Sequence, residues 1–187
     1  MKHVWDSQLS ERETSLIGMI VIHWAAIEHE IFTQTLSTFS QPNEASAPLP
    51  KAMNNMKFTD VFALWKERVV CCAKDQRAVV LSEQIKVIEH LKEFRDAIVH
   101  GHWDWSATDV TKITTMRVKK KTVISTTFDV QALEDFAFSL SEVNYNIRFP
   151  GGLEDVASQQ NSDGGYISRR AFAMLFAEQK DPDELRK

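Results

Sequence analysis

The chain has 187 residues, 43% hydrophobic and 26% charged, which favours one soluble globular domain and excludes a fibrous or wholly disordered chain. Its 22 basic and 26 acidic side chains give a net charge of −4, which by itself does not indicate a nucleic-acid partner. No uninterrupted apolar run reaches the ~18 residues of a membrane span, and the first residues lack a signal-peptide pattern. We therefore expect a cytoplasmic protein with no membrane partner.

The first predicted element is a long amphipathic helix that covers about residues 10–39. Ser10 and Glu13 have the spacing of a capping box, which marks the start of a helix. Apolar residues then recur every three or four positions from Leu16 to Ile31, as they do on one face of an α-helix. A segment rich in proline, serine and alanine follows, and its composition predicts a loop.

Two more helices are predicted before the pattern changes at Gly101. Thr59 can cap the second helix, which ends near residues 73–75. The third helix covers about residues 76–100 and has apolar residues along one face. Gly101 is interpreted as its stop, because glycine commonly follows the last helical residue.

The next segment, at about residues 110–128, has the pattern of a β-hairpin. Two runs rich in β-branched residues flank a basic turn. These runs are Lys112–Val118 and Thr122–Phe128, and the turn consists of Lys119, Lys120 and Lys121. Asp129 then opens a fourth helix, which ends near residue 150 at a proline and two glycines.

These elements predict an all-α fold, an up-down bundle of four main helices with the β-hairpin inserted between helices 3 and 4. The bundle with its hairpin accounts for residues 1–150. Residues 151–187 lose the apolar periodicity and form a C-terminal appendage, which we expect to be partly disordered or to contain a short docking helix at residues 171–177.

The strongest functional signal lies at the end of the third helix, where Arg95 and Asp96 precede His100. Arg95 is beside the apolar stripe of the helix, so we expect its guanidinium at the edge of a packed face. His100 lies at the helix terminus, whose partial negative charge favours the protonated imidazole. A permanent cation and a group that titrates near neutrality are a suitable pair for cleaving a phosphodiester.

This segment resembles the motif of the HEPN superfamily, in which an arginine is followed by a polar residue, most often asparagine, and then by a histidine. The helical layout over roughly residues 10–147 is also similar to that family, as are Trp24 and Glu28 in the first helix. The main departure from the usual pattern is Asp96, which stands where asparagine is more common.

The resemblance implies a metal-independent endoribonuclease that needs no cofactor. In HEPN enzymes the motif helices of two protomers meet and form one composite cleft, so the implied partners are RNA and a second copy of the chain. Carried over, His100 is the general acid or base for attack by the ribose 2′-hydroxyl, and Arg95 holds the phosphate. Asp96 can orient either of these side chains by hydrogen bonding.

Further residues are supporting candidates. His102 and Glu28 lie near the motif in the expected fold, and Trp103 can stack on an unpaired base. The lysines of the turn, Lys119, Lys120 and Lys121, are candidates for contacts with RNA phosphates. The family resemblance also suggests a toxin–antitoxin or phage-defence role, with an antitoxin as a possible partner.

Two alternatives remain open at this point. One is a non-catalytic HEPN-like bundle that binds a nucleotide or a protein partner, such as a nucleotidyltransferase-like protein. Its contact surface would be the middle of the chain, residues 51–127, which has 14 basic against 9 acidic side chains. The other is a metal enzyme with ligands from His100, His102 and Glu28 or His29. A His-x-His pair is a common accidental pattern, and our expectation is that no metal is bound.

Overall fold

The structure is a computed structural model and describes residues 8–39, 49–51, 53 and 57–163. Its regular elements in chain order are α1 (Glu11–Ser37), α2 (Phe58–Trp65), α3 (Asp75–His100), β1 (His102–Ser106), β2 (Asp109–Lys119), β3 (Thr122–Asp129), α4 (Val130–Arg148) and α5 (Leu153–Asp163). A short π-helical segment, Lys66–Val70, continues α2. The chain divides into two compact units, Met1–Pro150 and Gly151–Lys187.

Helix α1 begins at the predicted capping box. The Glu13 amide donates to the Ser10 hydroxyl at 3.2 Å, and the Ser10 amide donates to the Glu13 carboxylate at 2.7 Å. These two bonds satisfy amide groups that would otherwise have no partner in the first turn of the helix. One face of α1 packs against α4 and α2. The hydrophobic core of the first unit forms there, and its most deeply buried side chains are Leu16, Ile20, Ile27, Ile31, Trp65, Ile88, Leu133, Leu140, Val143 and Ile147.

Helix α1 changes one expectation. The sequence analysis found no apolar run long enough for a membrane span. Among the described residues, this one helix is long and apolar enough, by length and composition alone, to cross a membrane. One face of the same helix lies in the protein core, with Leu16, Ile20 and Ile27 at most 1% exposed. Core helices of soluble proteins commonly pass such a test, so α1 is consistent with a soluble protein.

The predicted all-α fold class is wrong. The described residues contain a three-stranded antiparallel sheet of order β1-β2-β3 and five α-helices, so the protein is a mixed α and β structure. The predicted hairpin is β2 and β3, and the strand absent from the prediction is β1. Its residues pair with β2, with His102 opposite Met116 and Trp103 opposite Thr115. Most β1 side chains are exposed, so the strand has no apolar pattern of the kind that marked the other elements.

The second unit also differs from the expectation. Residues 153–163 form helix α5, where the sequence had suggested a loss of regular structure. The short helix expected at residues 171–177 lies outside the described residues.

Gly101 joins the motif helix to the sheet. Its backbone has φ −81° and ψ 151°, which is extended and open to any residue, so left-handed geometry is not the reason for glycine here. Space is the reason, because a Cβ on Gly101 would lie 2.6 Å from the Cβ of Thr115 and would also clash with the Ala97 carbonyl oxygen. Strand β2 therefore passes directly against the end of α3, next to His100.

Candidate functional site

The two motif side chains, Arg95 and His100, meet at the end of α3. The Arg95 Nη1 atom lies 3.5 Å from the His100 Nε2 atom. The Arg95 side chain is 23% exposed, and His100 is exposed at the last position of the helix. The long side chain of an arginine five residues earlier thus reaches a histidine whose ring remains open to solvent. The pair presents a fixed positive charge and a group able to transfer a proton at one place.

Helix α1 holds the other side of the Arg95 guanidinium. The Glu28 Oε1 atom accepts a hydrogen bond from Trp24 Nε1 at 2.6 Å and lies 3.5 Å from Arg95 Nη2. The guanidinium carbon also lies 5.4 Å from the centre of the Trp24 ring, which is within cation–π distance. Glu28 and Trp24 therefore position Arg95 from a neighbouring helix.

Asp96 is surrounded by three cations. Its carboxylate accepts hydrogen bonds from Lys92 at 3.0 Å and from Arg95 at 3.1 Å, and Arg117 lies 3.7 Å away. Partial burial raises the pKa of Asp96, but the hydrogen bonds and charges of Lys92 and Arg95 outweigh it and hold this pKa below its usual value. The Asp96 carboxylate is thus ionised near neutral pH and pairs with Arg117 on β2. An asparagine at this position could not form that ion pair.

A second carboxylate, Glu93, fastens the hairpin to α3. Arg117 donates to Glu93 Oε2 at 2.9 Å, and Lys119 donates to Glu93 Oε1 at 2.6 Å. The hydrogen bond from Lys119 is the largest cause of a lowered Glu93 pKa, against the opposing effect of desolvation. Lys119 is therefore committed to an ion pair with Glu93, which lies about 10 Å before His100 along the axis of α3.

The other lysines of the turn are exposed. Lys120 and Lys121 connect β2 to β3 with φ values of 50° and 68°. Left-handed backbone at both central residues is the geometry of a type I′ turn, which favours asparagine and glycine. These two side chains are open to solvent, whereas Lys119 is held by Glu93. Their contact with RNA stays a prediction.

His102 and Trp103 follow the motif on β1. His102 is exposed at the start of the strand, one residue beyond Gly101. Trp103 is half-buried, and its ring centre lies 6.2 Å from that of Phe128 on β3. Trp103 therefore packs against the sheet, and its stacking on a base stays a prediction. Trp105, two residues on, is 44% exposed and donates a hydrogen bond to Gln8 at 2.7 Å.

Arg117 is the site residue that sequence reasoning missed. Its side chain is only 13% exposed and bridges Glu93 and Asp96. The sequence predicted strand β2 as half of a hairpin but gave no indication that this strand packs against α3. Alternation gives the signal that could have found it, because Ile113 and Thr115 on the same face of β2 are buried. A cation on the buried face of a strand needs an acidic partner, and α3 supplies two.

The described residues contain no group of three or more histidine, cysteine, aspartate or glutamate side chains arranged to hold a metal ion. In particular, His100, His102, Glu28 and His29 do not form such a group. Comparisons with family models, curated proteins and solved structures found no match to this chain.

Proposed function

We propose that the chain is a metal-independent endoribonuclease of HEPN type, working in the cytoplasm as a homodimer with a composite site. The observation that carries this proposal is the approach of the Arg95 guanidinium to the His100 imidazole, 3.5 Å between nitrogens, at a solvent-open helix end. The resemblance of the motif to that family suggests a toxin or phage-defence role with an antitoxin as partner.

RNA cleavage by this route requires of the protein a positive charge near the phosphate and groups that transfer protons. A base removes the proton of a ribose 2′-hydroxyl, and the oxygen attacks the adjacent phosphorus. The 5′-oxygen of the next nucleotide then leaves and takes up a proton, so the products are a 2′,3′-cyclic phosphate and a 5′-hydroxyl. His100 is suited to one proton transfer, and the Arg95 guanidinium to the growing charge on the phosphate oxygens. His100 of a second copy would supply the other transfer.

The outer face of α1 supports self-association. Apolar side chains exposed together on the outside of a helix mark a surface for association. Among the described residues, one face of α1 is covered by the core, whereas Met19, Val21 and Ile22 are 42%, 44% and 68% exposed. These residues lie on the helix that also carries Glu28, about 9–14 Å before it along the helix axis.

The decisive experiment is incubation of purified protein with an end-labelled single-stranded RNA in EDTA, followed by mapping of the product ends. Wild type should cleave and leave 2′,3′-cyclic phosphates, and His100→Ala should not. His90→Ala is the matched control, because it removes an exposed histidine from the same helix outside the site. Absence of cleavage by a folded wild-type dimer would refute the proposal.

A second candidate is a non-catalytic bundle that binds a nucleotide or a protein partner. The observation that favours it is the ion pairing of Arg95 with Asp96 and Glu28, because a phosphate would have to compete with two carboxylates. Such a module should bind its partner without turnover. It should lose that binding when Lys119, Lys120 and Lys121 are changed together to glutamate.

A further inference from the structure

We propose that a cavity between α1 and α2 is a base-binding subsite that takes a cytosine ring of the RNA whose phosphate Arg95 holds. This inference rests on the proposed function for its ligand class, since it takes single-stranded RNA as the ligand. The cavity has a volume of about 160 Å³ and is mostly apolar. Its lining residues are Ala25, Glu28, His29, Phe32, Phe58 and Val61.

The size of the cavity suits one six-membered ring. An apolar protein cavity of about 150 Å³ is known to admit benzene, which has nearly the dimensions of a pyrimidine. The cavity opens to solvent on one side, and the fused five-membered ring of a purine would have to extend out of this opening. Phe32 and Phe58 give the walls an aromatic character, and nucleobases stack favourably on aromatic side chains. The volume therefore favours pyrimidines over purines.

The polar group of the cavity distinguishes between the two pyrimidines. Glu28 lines the cavity, and both of its hydrogen bonds within the described part of the chain are made through Oε1, from Trp24 and Arg95. With respect to the described residues, the Oε2 atom is therefore available to accept a hydrogen bond from a base. Cytosine offers an amino group at N4, the usual partner of a carboxylate, whereas the N3–H of uracil lies between two carbonyl oxygens that the carboxylate would repel.

The subsite adjoins the phosphate-binding residue. Glu28 borders the cavity and lies 3.5 Å from the Arg95 guanidinium, so one side chain belongs to both places. The Trp24 ring, which lies under the guanidinium, also makes an edge contact with Phe58 at 5.3 Å between ring centres. A nucleotide with its phosphate on Arg95 is therefore next to an opening of matching size and polarity.

The test measures binding, so that it does not depend on cleavage. Oligoadenylates with a single central cytidine, uridine or adenosine are titrated against the His100→Ala protein, which leaves the RNA intact. We expect the cytidine oligomer to bind about tenfold more tightly than the others. Ala25→Phe fills the cavity from its exposed edge and should abolish the preference. Ala26→Phe, the same change at a residue outside the cavity lining, should retain it.

A second variant covers the case in which the cavity-filling change disturbs folding. Glu28→Gln keeps the side-chain shape but offers an amide that can donate to the uracil oxygen, so the preference should shift from cytidine towards uridine. This ratio between bases is insensitive to any general weakening at Arg95. Equal binding of all oligomers would overturn the subsite even if wild type cleaves RNA. A cytidine preference without any cleavage would leave the subsite standing and overturn the ribonuclease.

Discussion

Gly101 lies so close to Thr115 that a single added carbon would not fit between the end of α3 and strand β2. The sheet is thereby packed against the last turn of the motif helix, and His100 is the residue immediately before the contact. This packing, more than the helix alone, fixes where the histidine ring emerges.

Replacing Gly101 with alanine should therefore destabilise the fold by about 1–3 kcal/mol, the usual cost of forcing extra volume into a packed site. The measurement is urea unfolding of the wild type and the variant. Gly18→Ala is the control, because a Cβ there meets nothing within 4 Å and alanine is the better helix former. If Gly101→Ala were as stable as wild type, the close approach of β2 would be refuted.

The turn between β2 and β3 should become more stable when its sequence matches its geometry. Lys120 and Lys121 both have left-handed backbone, which costs a residue with a side chain about 1–2 kcal/mol. The double change Lys120→Asn and Lys121→Gly should raise the free energy of unfolding by about 1–2 kcal/mol, measured by thermal or urea unfolding. Changing both lysines to glutamine removes the same charges without relieving the backbone, so a comparable gain in that control would contradict the explanation.

Asp96→Asn should move stability and RNA binding in opposite directions. The variant loses the charge that Lys92, Arg95 and Arg117 share, which should cost about 1.5–3 kcal/mol at pH 7. It also removes a negative charge beside the phosphate-binding arginine, so its affinity for RNA should rise. Fluorescence titration and urea unfolding measure the two effects, with the exposed Asp135→Asn as control. A loss of both stability and affinity would contradict this account.

The stability cost of Asp96→Asn should also depend on pH. The pKa of Asp96 is lowered in the folded protein, so its contribution is present above the pKa of the unfolded chain, about 3.9. This contribution to stability is lost as the pH falls through the lower pKa that Asp96 has in the folded protein. The stability difference between wild type and variant should therefore be constant from pH 7 down to about 5 and shrink below about pH 4. A difference that persists unchanged in acid would point to a cause other than charge.

Thr115→Val should stabilise the protein by about 1 kcal/mol. Thr115 is 1% exposed, and its hydroxyl has no hydrogen-bond partner within the described residues. Valine has nearly the same shape and removes the cost of burying that hydroxyl. Thr114→Val is the comparison, because the Thr114 hydroxyl is hydrogen-bonded to Thr127 across the strands at 3.0 Å. Equal effects of the two changes on the unfolding midpoint would exclude a special role for the unpaired group.

Arg95→Lys should abolish most cleavage, by about 100-fold, with little change in the fold. A lysine keeps the charge but lacks the planar fork with which Arg95 contacts Asp96, Glu28 and His100 at once. The rate of RNA cleavage is the measurement, and the same substitution at Arg12, an exposed residue paired with Glu134, is the control. A fully active Arg95→Lys protein would show that only positive charge is needed there.

The sequence predicted those elements whose buried faces leave a periodic pattern. Helix α1 carries a regular apolar stripe and a capping box, and the two strands of the hairpin are rich in β-branched residues and flank a basic turn. Strand β1 was not predicted because its side chains are mostly exposed. Its only sequence signal was the two-residue spacing of Trp103 and Trp105. That omission led directly to the wrong fold class.

At the site, the sequence predicted the residues of one helix better than the contacts between elements. Arg95 and His100 are five residues apart, about 140° apart around the helix, so a long arginine side chain is needed to bring the two groups together. The approach of Arg117 to Asp96 depends on how the sheet packs against α3, which no spacing within either segment encodes. The cavity beside Glu28 likewise exists only because α2 packs against α1.

Because of the ion pairs from β2 to α3, the hairpin cannot be deleted without changing the charges around the site. Excising residues 102–129 would take away Arg117 and Lys119, and Glu93 would lose both of its hydrogen-bonded cations while Asp96 lost one of three. Arg95 would then lie in a more acidic environment, and its affinity for a phosphate would be lower. The smallest fragment that preserves this electrostatic setting therefore includes the sheet.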